Sequence, residues 1–295
     1  MNLTRRTFLA ASAAALPTRL WSGVEADFGG RRVLSLSDGH LELPPDFILA
    51  GLSPDQIAAL RLAHGLPEGP LIAPCNVTLL RDGDNTVLFD VGAGHDFQST
   101  AGRLTEALEA AGLTPPDITH VVFTHGHPDH LWGLLDEFDE PFFPQAQHFI
   151  GGVEFDYWTD PETVNTIDAS RTTFAVGAKR RLDTLADMFE RIGDGDTPLP
   201  GVTARATTGH TPGHLSFDLG DIFVTGDCIG NAHIAFDQPE FPTASDQNPP
   251  EAAETRARLM ANLAASGQPI LGFHLTDGGI GRIVTADAGY RFEAS

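Results

Sequence analysis

Three imidazoles and a carboxylate fall within six residues at His125, His127, Asp129 and His130, in the run Thr124-His125-Gly126-His127-Pro128-Asp129-His130. On extended backbone His125 and His127 project to the same side, so both can grip one ion. Asp129 and His130 then lie beside them and can hold a second. Mixed imidazole and carboxylate donors suit zinc, iron, manganese or cobalt better than calcium or magnesium. Two such ions would share and acidify a water and polarise the oxygen that gains charge, so hydrolysis would need no Ser or Cys nucleophile.

Two ions need more donors than one loop supplies, and elements must bring them in. The apolar run Val121-Val122-Phe123 reads as a buried strand emptying into the first motif. His210 sits in the Gly/Pro-rich turn Thr208-Gly209-His210-Thr211-Pro212-Gly213-His214. Ile222-Phe223-Val224-Thr225-Gly226-Asp227 and Pro269-Ile270-Leu271-Gly272-Phe273-His274 repeat the pattern of a strand ending at a donor. Each of these is a weak signal alone; joined to the first motif they form a constellation.

That order of motifs, HxHxDH, GHTPGH, TGD and a late His, resembles the metallo-β-lactamase-fold hydrolases from about residue 73 to 283. The resemblance implies a four-layer αβ/βα sandwich, two mixed sheets flanked by helices. It implies that His125, His127 and His210 hold one metal, that Asp129, His130 and His274 hold the other, and that Asp227 bridges them. It implies two divalent ions, zinc first, with manganese, cobalt or iron as alternatives, and a metal-bridging hydroxide as nucleophile. Asp227 then fixes the ion spacing, and Asp129 orients the hydroxide or passes a proton to the leaving group. Asp90, at the end of Leu88-Phe89-Asp90, and His214 would support the ligands from behind.

Within the family the chain is similar to the methyl parathion hydrolase-like branch, on Pro74-Cys75-Asn76-Val77-Thr78, His130-Leu131-Trp132-Gly133-Leu134, Phe155-Asp156-Tyr157-Trp158 and Gly281-Arg282-Ile283. That branch acts on esters, lactones or phosphotriesters, and by spacing its aromatic pocket would be Phe97, Trp158 and Phe174. Gly230 stands where quorum-quenching lactonases of the fold tend to carry Tyr, which argues against a strict acyl-homoserine lactonase. Other readings are a β-lactamase or a glyoxalase II-like thioesterase of the same fold and, outside hydrolysis, a diiron redox or metal-binding protein. Some members of the branch dimerise, so a homodimer is an open possibility.

Thr4-Arg5-Arg6-Thr7-Phe8-Leu9 followed by Ala10-Ala11-Ser12-Ala13-Ala14-Ala15-Leu16 reads as a twin-arginine export signal within residues 1–26, cleaved after Ala15 or Ala26. The expected product is one periplasmic or secreted domain over 27–295. The signal's apolar stretch falls short of the roughly 20 residues that span a bilayer. The formal charge is −22, becoming −24 after either cleavage. Such an acidic chain repels nucleic acid and anionic membranes, leaving a small neutral, partly apolar molecule as the expected partner. Two cysteines, Cys75 and Cys228, give no disulfide framework. Cys228 and Asp227, as extended neighbours, point apart and cannot easily share an ion, so Cys228 reads as a packed apolar residue.

The remaining pattern predicts strands at 73–80 and 85–90 joined by a turn, and helices at 100–111, 130–138, 180–192 and 249–265. Strands that alternate with helices and include hairpins predict mixed sheets with helices outside them. The aromatic-rich segment 155–175 reads as a possible lid.

Overall fold

The computed structural model describes residues 24–28 and 30–295. The export motif lies outside the described residues, whereas Glu25 and Ala26 already belong to a strand.

Two sheets face each other. The first runs β1 (Glu25–Phe28), β2 (Arg31–Leu43), β3 (Leu71–Asp82), β4 (Asn85–Phe89), β5 (His120–Val122), β6 (Gln147–Gly151) and β7 (Phe189–Ile192) in sequence order. It is antiparallel from β1 to β4 and parallel from β4 to β7. The second contains β8 (Thr203–Ala206), β9 (Leu215–Asp218), β10 (Phe223–Gly226), β11 (Ile270–Gly272), β12 (Ile280–Thr285) and β13 (Tyr290–Ala294). Only its β10–β11 pair is parallel.

The alternation of side chains along the strands sorts the core into layers. Val87, Phe89 and Val122 meet Phe217, Val224 and Leu271 between the sheets. Their neighbours Leu88 and Val121 point the other way, onto Leu108 and Leu182 of the outer helices. On the far side Phe223, Ile270 and Ile283 pack against Met260 and Leu263 of the helix Pro249–Ser266. The result is the helix, sheet, sheet, helix sandwich that the motif order implied.

Helix boundaries depart from the sequence reading in three places. The expected helix at 130–138 is a single turn, Pro128–Leu131, followed by a 3-10 turn, Trp132–Leu134. Gly133 there lies so close to the Val91 carbonyl that a Cβ would overlap it, so the chain turns back onto the strand ends. The expected helix at 180–192 is instead the helix Thr172–Thr184, a 3-10 turn and the edge strand β7. Its apolar spacing had merged two elements that both bury side chains in one layer. The expected helix at 100–111 begins only at Leu104, because Gly102 adopts a φ of +78° against Gly94.

Parallel strands deliver their C-terminal ends to one edge, where an open α/β sheet places its ligands. Asp90 follows β4, the His-rich loop follows β5, Asp227 follows β10 and His274 follows β11 within two residues.

Candidate metal centre

Strand ends and loops bring seven donors into two groups. His125, His127 and His210 present ligand atoms within 4.8 Å of one another, and Asp129, His130, Asp227 and His274 do the same. All seven side chains are buried. In the first group His127 Nδ1 lies 3.0 Å from His125 Nε2 and 2.9 Å from His210 Nε2. In the second, His274 Nε2 is 3.2 Å from both Asp129 Oδ2 and Asp227 Oδ2. Asp227 reaches across: Oδ1 is 3.3 Å from His130 Nε2, while Oδ2 is 3.5 Å from His210 Nε2.

These separations match the shell of an ion. A tetrahedral metal held at about 2.0–2.1 Å from nitrogen sets its donor atoms about 3.4 Å apart. Asp129 Oδ2, His130 Nε2 and Asp227 Oδ1 are moreover buried with no hydrogen-bond partner among the described residues. Buried polar atoms are seldom left so, and three that converge fit a missing cation. The donor set therefore suits two divalent ions.

The far side of each imidazole fixes which nitrogen faces inward. His130 Nδ1 pairs with Asp90 Oδ2 at 2.7 Å, His210 Nδ1 with Asp246 Oδ1 at 2.9 Å, and His274 Nδ1 donates to the Pro74 carbonyl at 2.7 Å. His125 Nδ1 contacts Thr124 Oγ1 at 3.0 Å. These four therefore present Nε2, whereas His127 turns Nδ1 inward. His214 lies behind the group: its Nε2 accepts the Asp227 N–H at 3.0 Å and Nδ1 meets Thr207 Oγ1 at 2.8 Å. Asp90 thus backs His130, and His214 backs the Asp227 amide.

Electrostatics divide the two groups. Burial, and then the positions of the neighbouring histidines, hold His125 and His127 far below the ordinary histidine range. Burial alone would also lower His130, but Asp227, Asp129 and Asp90 together push it up to about 10. His274 is raised likewise against its own burial, and Asp227, which burial would raise, is instead held well below the carboxylate range by His274 and His130. Burial, then His210, takes His214 down to about 3, which keeps it a neutral acceptor for the Asp227 amide.

The groups open into a cavity of about 360 Å³ lined by His127, Asp129, His210, Asp227 and His274. Its walls include Leu41, Leu43, Phe47, Ile48, Phe97 and Phe174. Trp158 does not line it, contrary to the sequence reading. Its fully buried indole stands behind His127, 5.8 Å ring to ring, and donates to Glu154 Oε1 at 2.6 Å. The proposed lid is half right: Phe155 and Trp158 are core, while Ser170, Arg171 and Phe174 face the cavity. Both thiols are free and buried, and Cys228 Sγ packs at 3.1 Å from the Thr225 carbonyl, away from the donors.

Three residues were not singled out by the sequence reading. Asp246 orients His210, and Arg171 lines the cavity. Glu154 takes hydrogen bonds from the Gly126 N–H at 2.8 Å and the Gly213 N–H at 2.9 Å, tying together the two loops that carry His125, His127 and His210. Only the motif Phe155-Asp156-Tyr157-Trp158 next to Glu154 hinted at the last of these.

A profile of the Metallo-beta-lactamase superfamily matches residues 72–266. Among curated proteins, the uncharacterized protein Rv2581c of Mycobacterium tuberculosis is 30% identical over 181 residues, 57% of this chain and 73% of that one. The uncharacterized protein C03F11.2 of Caenorhabditis elegans is 32% identical over 80 residues, and the match spans only 20% of its length. Among solved structures, the hydrolase AbOPH of the beta lactamase superfamily superposes with a TM-score of 0.85 at 27% identity, covering 92% of this chain and 97% of that one. AidC, a dizinc quorum-quenching lactonase solved with N-hexnoyl-L-homoserine, gives a TM-score of 0.86 at 20% identity with the same coverage.

Proposed function

Because the chain belongs to the metallo-β-lactamase superfamily, we propose that it is a dinuclear metal-dependent hydrolase of a neutral ester, lactone or phosphotriester. The observation that carries this reading is the reach of Asp227, whose two oxygens lie 3.3 Å from His130 Nε2 and 3.5 Å from His210 Nε2, one in each donor group. When bound, two divalent ions supply an acidified water and a Lewis acid for the oxygen that gains charge. His125, His127 and His210 would hold one, Asp129, His130 and His274 the other, and Asp227 would span both.

The chain's own groups do the rest. Asp129 also lines the cavity, where it would orient the attacking water or pass a proton to the leaving group. Leu41, Leu43, Phe47, Phe97 and Phe174 keep bulk water off the reacting centre and favour an apolar substituent. The Arg5-Arg6 motif supports export of the folded protein, which cell fractionation would test.

The direct test pairs elemental analysis of purified protein with turnover of aryl esters, a γ-lactone and methyl paraoxon. Close to two ions per chain, with turnover lost in His127→Ala, is the expected result. One ion or none, with no turnover after reconstitution with zinc, manganese or cobalt, would remove the dinuclear hydrolase reading.

A further inference from the structure

Three arginines are buried in the described residues around the cavity and its supports, and they are not alike. Arg181 donates from Nε to the Trp132 carbonyl, from Nη1 to the Gly177 carbonyl and from Nη2 to Asp96. Arg256 likewise engages all three nitrogens, with the Pro239 carbonyl, Asp246 and the Phe241 carbonyl. Arg171 is only 6% exposed, yet among the described residues it makes one hydrogen bond, from Nη2 to the Ala244 carbonyl at 2.5 Å. No carboxylate comes within ion-pair distance of it there, Asp246 and Asp168 acting on it only from farther off, and its guanidinium lies 5.8 Å from the Phe47 ring centre.

Its Nε and Nη1 have no protein partner among the described residues, yet they are not sealed from solvent, so they open on the cavity as donors that a bound oxygen can take up. Arg171 lines the same cavity as His127, Asp129 and His274, and among the described residues is the one arginine or lysine on walls that carry Phe47, Phe97 and Phe174 with the neutral Gln98 and Ser245. Its planar fork of N–H donors suits an oxygen acceptor better than a lysine would. Resting on the hydrolase reading above, we propose that Arg171 anchors the substrate through an oxygen acceptor outside the scissile bond. The natural substrate then combines an apolar arm with an amide carbonyl or a carboxylate, and a plain alkyl ester is a poor mimic of it.

The test uses metal-loaded full-length protein and three p-nitrophenyl esters that share a leaving group. The octanoate has no second acceptor, the N-hexanoylglycine ester adds an amide, and the adipate mono-ester adds a carboxylate. Arg171→Met should raise KM for one of the latter two by about ten- to a hundredfold more than for the octanoate, with kcat little moved. Whichever ester responds tells amide from carboxylate. Arg171→Lys should recover part of the loss, and unchanged metal content and melting temperature would show that both variants fold. An equal rise for all three esters would overturn the assignment.

A second readout separates this assignment from the hydrolase reading. Hexanoylglycinamide and adipic acid monoamide carry the acceptors without the scissile ester, and calorimetry follows their binding. If no ester, γ-lactone or methyl paraoxon is turned over but one of the two amides binds the native protein and not Arg171→Met, the anchor stands and the hydrolase reading falls. Equal binding to both proteins, or none to the native one, overturns the anchor.

Discussion

Asp90 holds His130 from behind: its Oδ2 sits 2.7 Å from His130 Nδ1, and both groups are almost wholly buried. The same carboxylate accepts the Thr124 N–H at 2.7 Å through Oδ1 and the Thr124 hydroxyl at 2.7 Å through Oδ2. Its backbone φ of 66° turns the chain sharply after β4 so that the carboxylate reaches under the His-rich loop. One side chain thus fixes both the loop's first residue and a donor six positions after it.

Asp90→Asn would keep the size but surrender the charge that fixes the His130 tautomer. Loss of such a partner typically weakens a metal site by about 10–100-fold. Chelator competition should show one of two ions lost at lower chelator strength, the other held nearly as before. Equal release of both would show that Asp90 acts on the whole fold instead.

Glu154 is the larger structural commitment. Its Oε1 accepts from the Gly126 N–H and the Trp158 indole, its Oε2 from the Thr211 hydroxyl and the Gly213 N–H. Burial pushes its pKa up, and those four donors oppose the rise. Glu154→Ala would orphan four buried donors and should lower stability by on the order of 3 kcal/mol or more. Glu154→Gln should lose nearly as much, since its NH₂ would confront two of the donors. A urea midpoint for the Gln variant close to that of the native protein would show the site to be a protonated acid.

The donors were legible because His125, His127, Asp129 and His130 are contiguous, and because Asp227 and His274 each end an apolar run. Strands buried on both faces, such as β4 and β5, were legible as short apolar runs that end in a turn or loop. Asp246 was not, since nothing local marks it, and Glu154 and Arg171 were marked only through the aromatic motif beside the one and the lid segment around the other. Glu154 meets Gly126 and Gly213 across separations of 28 and 59 residues, and Asp246 meets His210 across 36. Trp158 misled because spacing gives a residue's distance from a motif but not the face of the helix Gly152–Thr159 on which it sits. The 180–192 reading failed because Leu182, Leu185 and Ile192 are all buried while belonging to a helix, a turn and a strand.

Gly177 carries the cavity wall at one remove. A Cβ there would overlap the Trp132 ring, which packs on Phe97 at 5.5 Å and lies under Arg181 at 4.4 Å. In a free helix Gly→Ala would gain about 1 kcal/mol. Here overpacking of about 1–3 kcal/mol should win, so Gly177→Ala should melt lower than the native protein. Phe97 should shift with Trp132, raising KM for bulky esters more than for acetate. A higher melting temperature would mean that Trp132 moves freely.

His148 sets an acid limit independent of the metal ligands. It lies on β6, fully buried against Phe189 at 5.7 Å, and burial pushes its pKa down to about 4 from an ordinary 6.5. Above pH 6.5 both the folded and unfolded forms are neutral there, and folding incurs no penalty. As pH falls from 6.5 towards 4, the unfolded chain takes up a proton that the fold refuses. Stability should therefore drain by about 3 kcal/mol across that window and level off below it. His148→Leu removes the titration. In chelator-treated protein, urea unfolding at about pH 7 and about pH 4.5 should show a smaller loss for the variant than for the native chain. Equal losses would place the acid sensitivity in other groups.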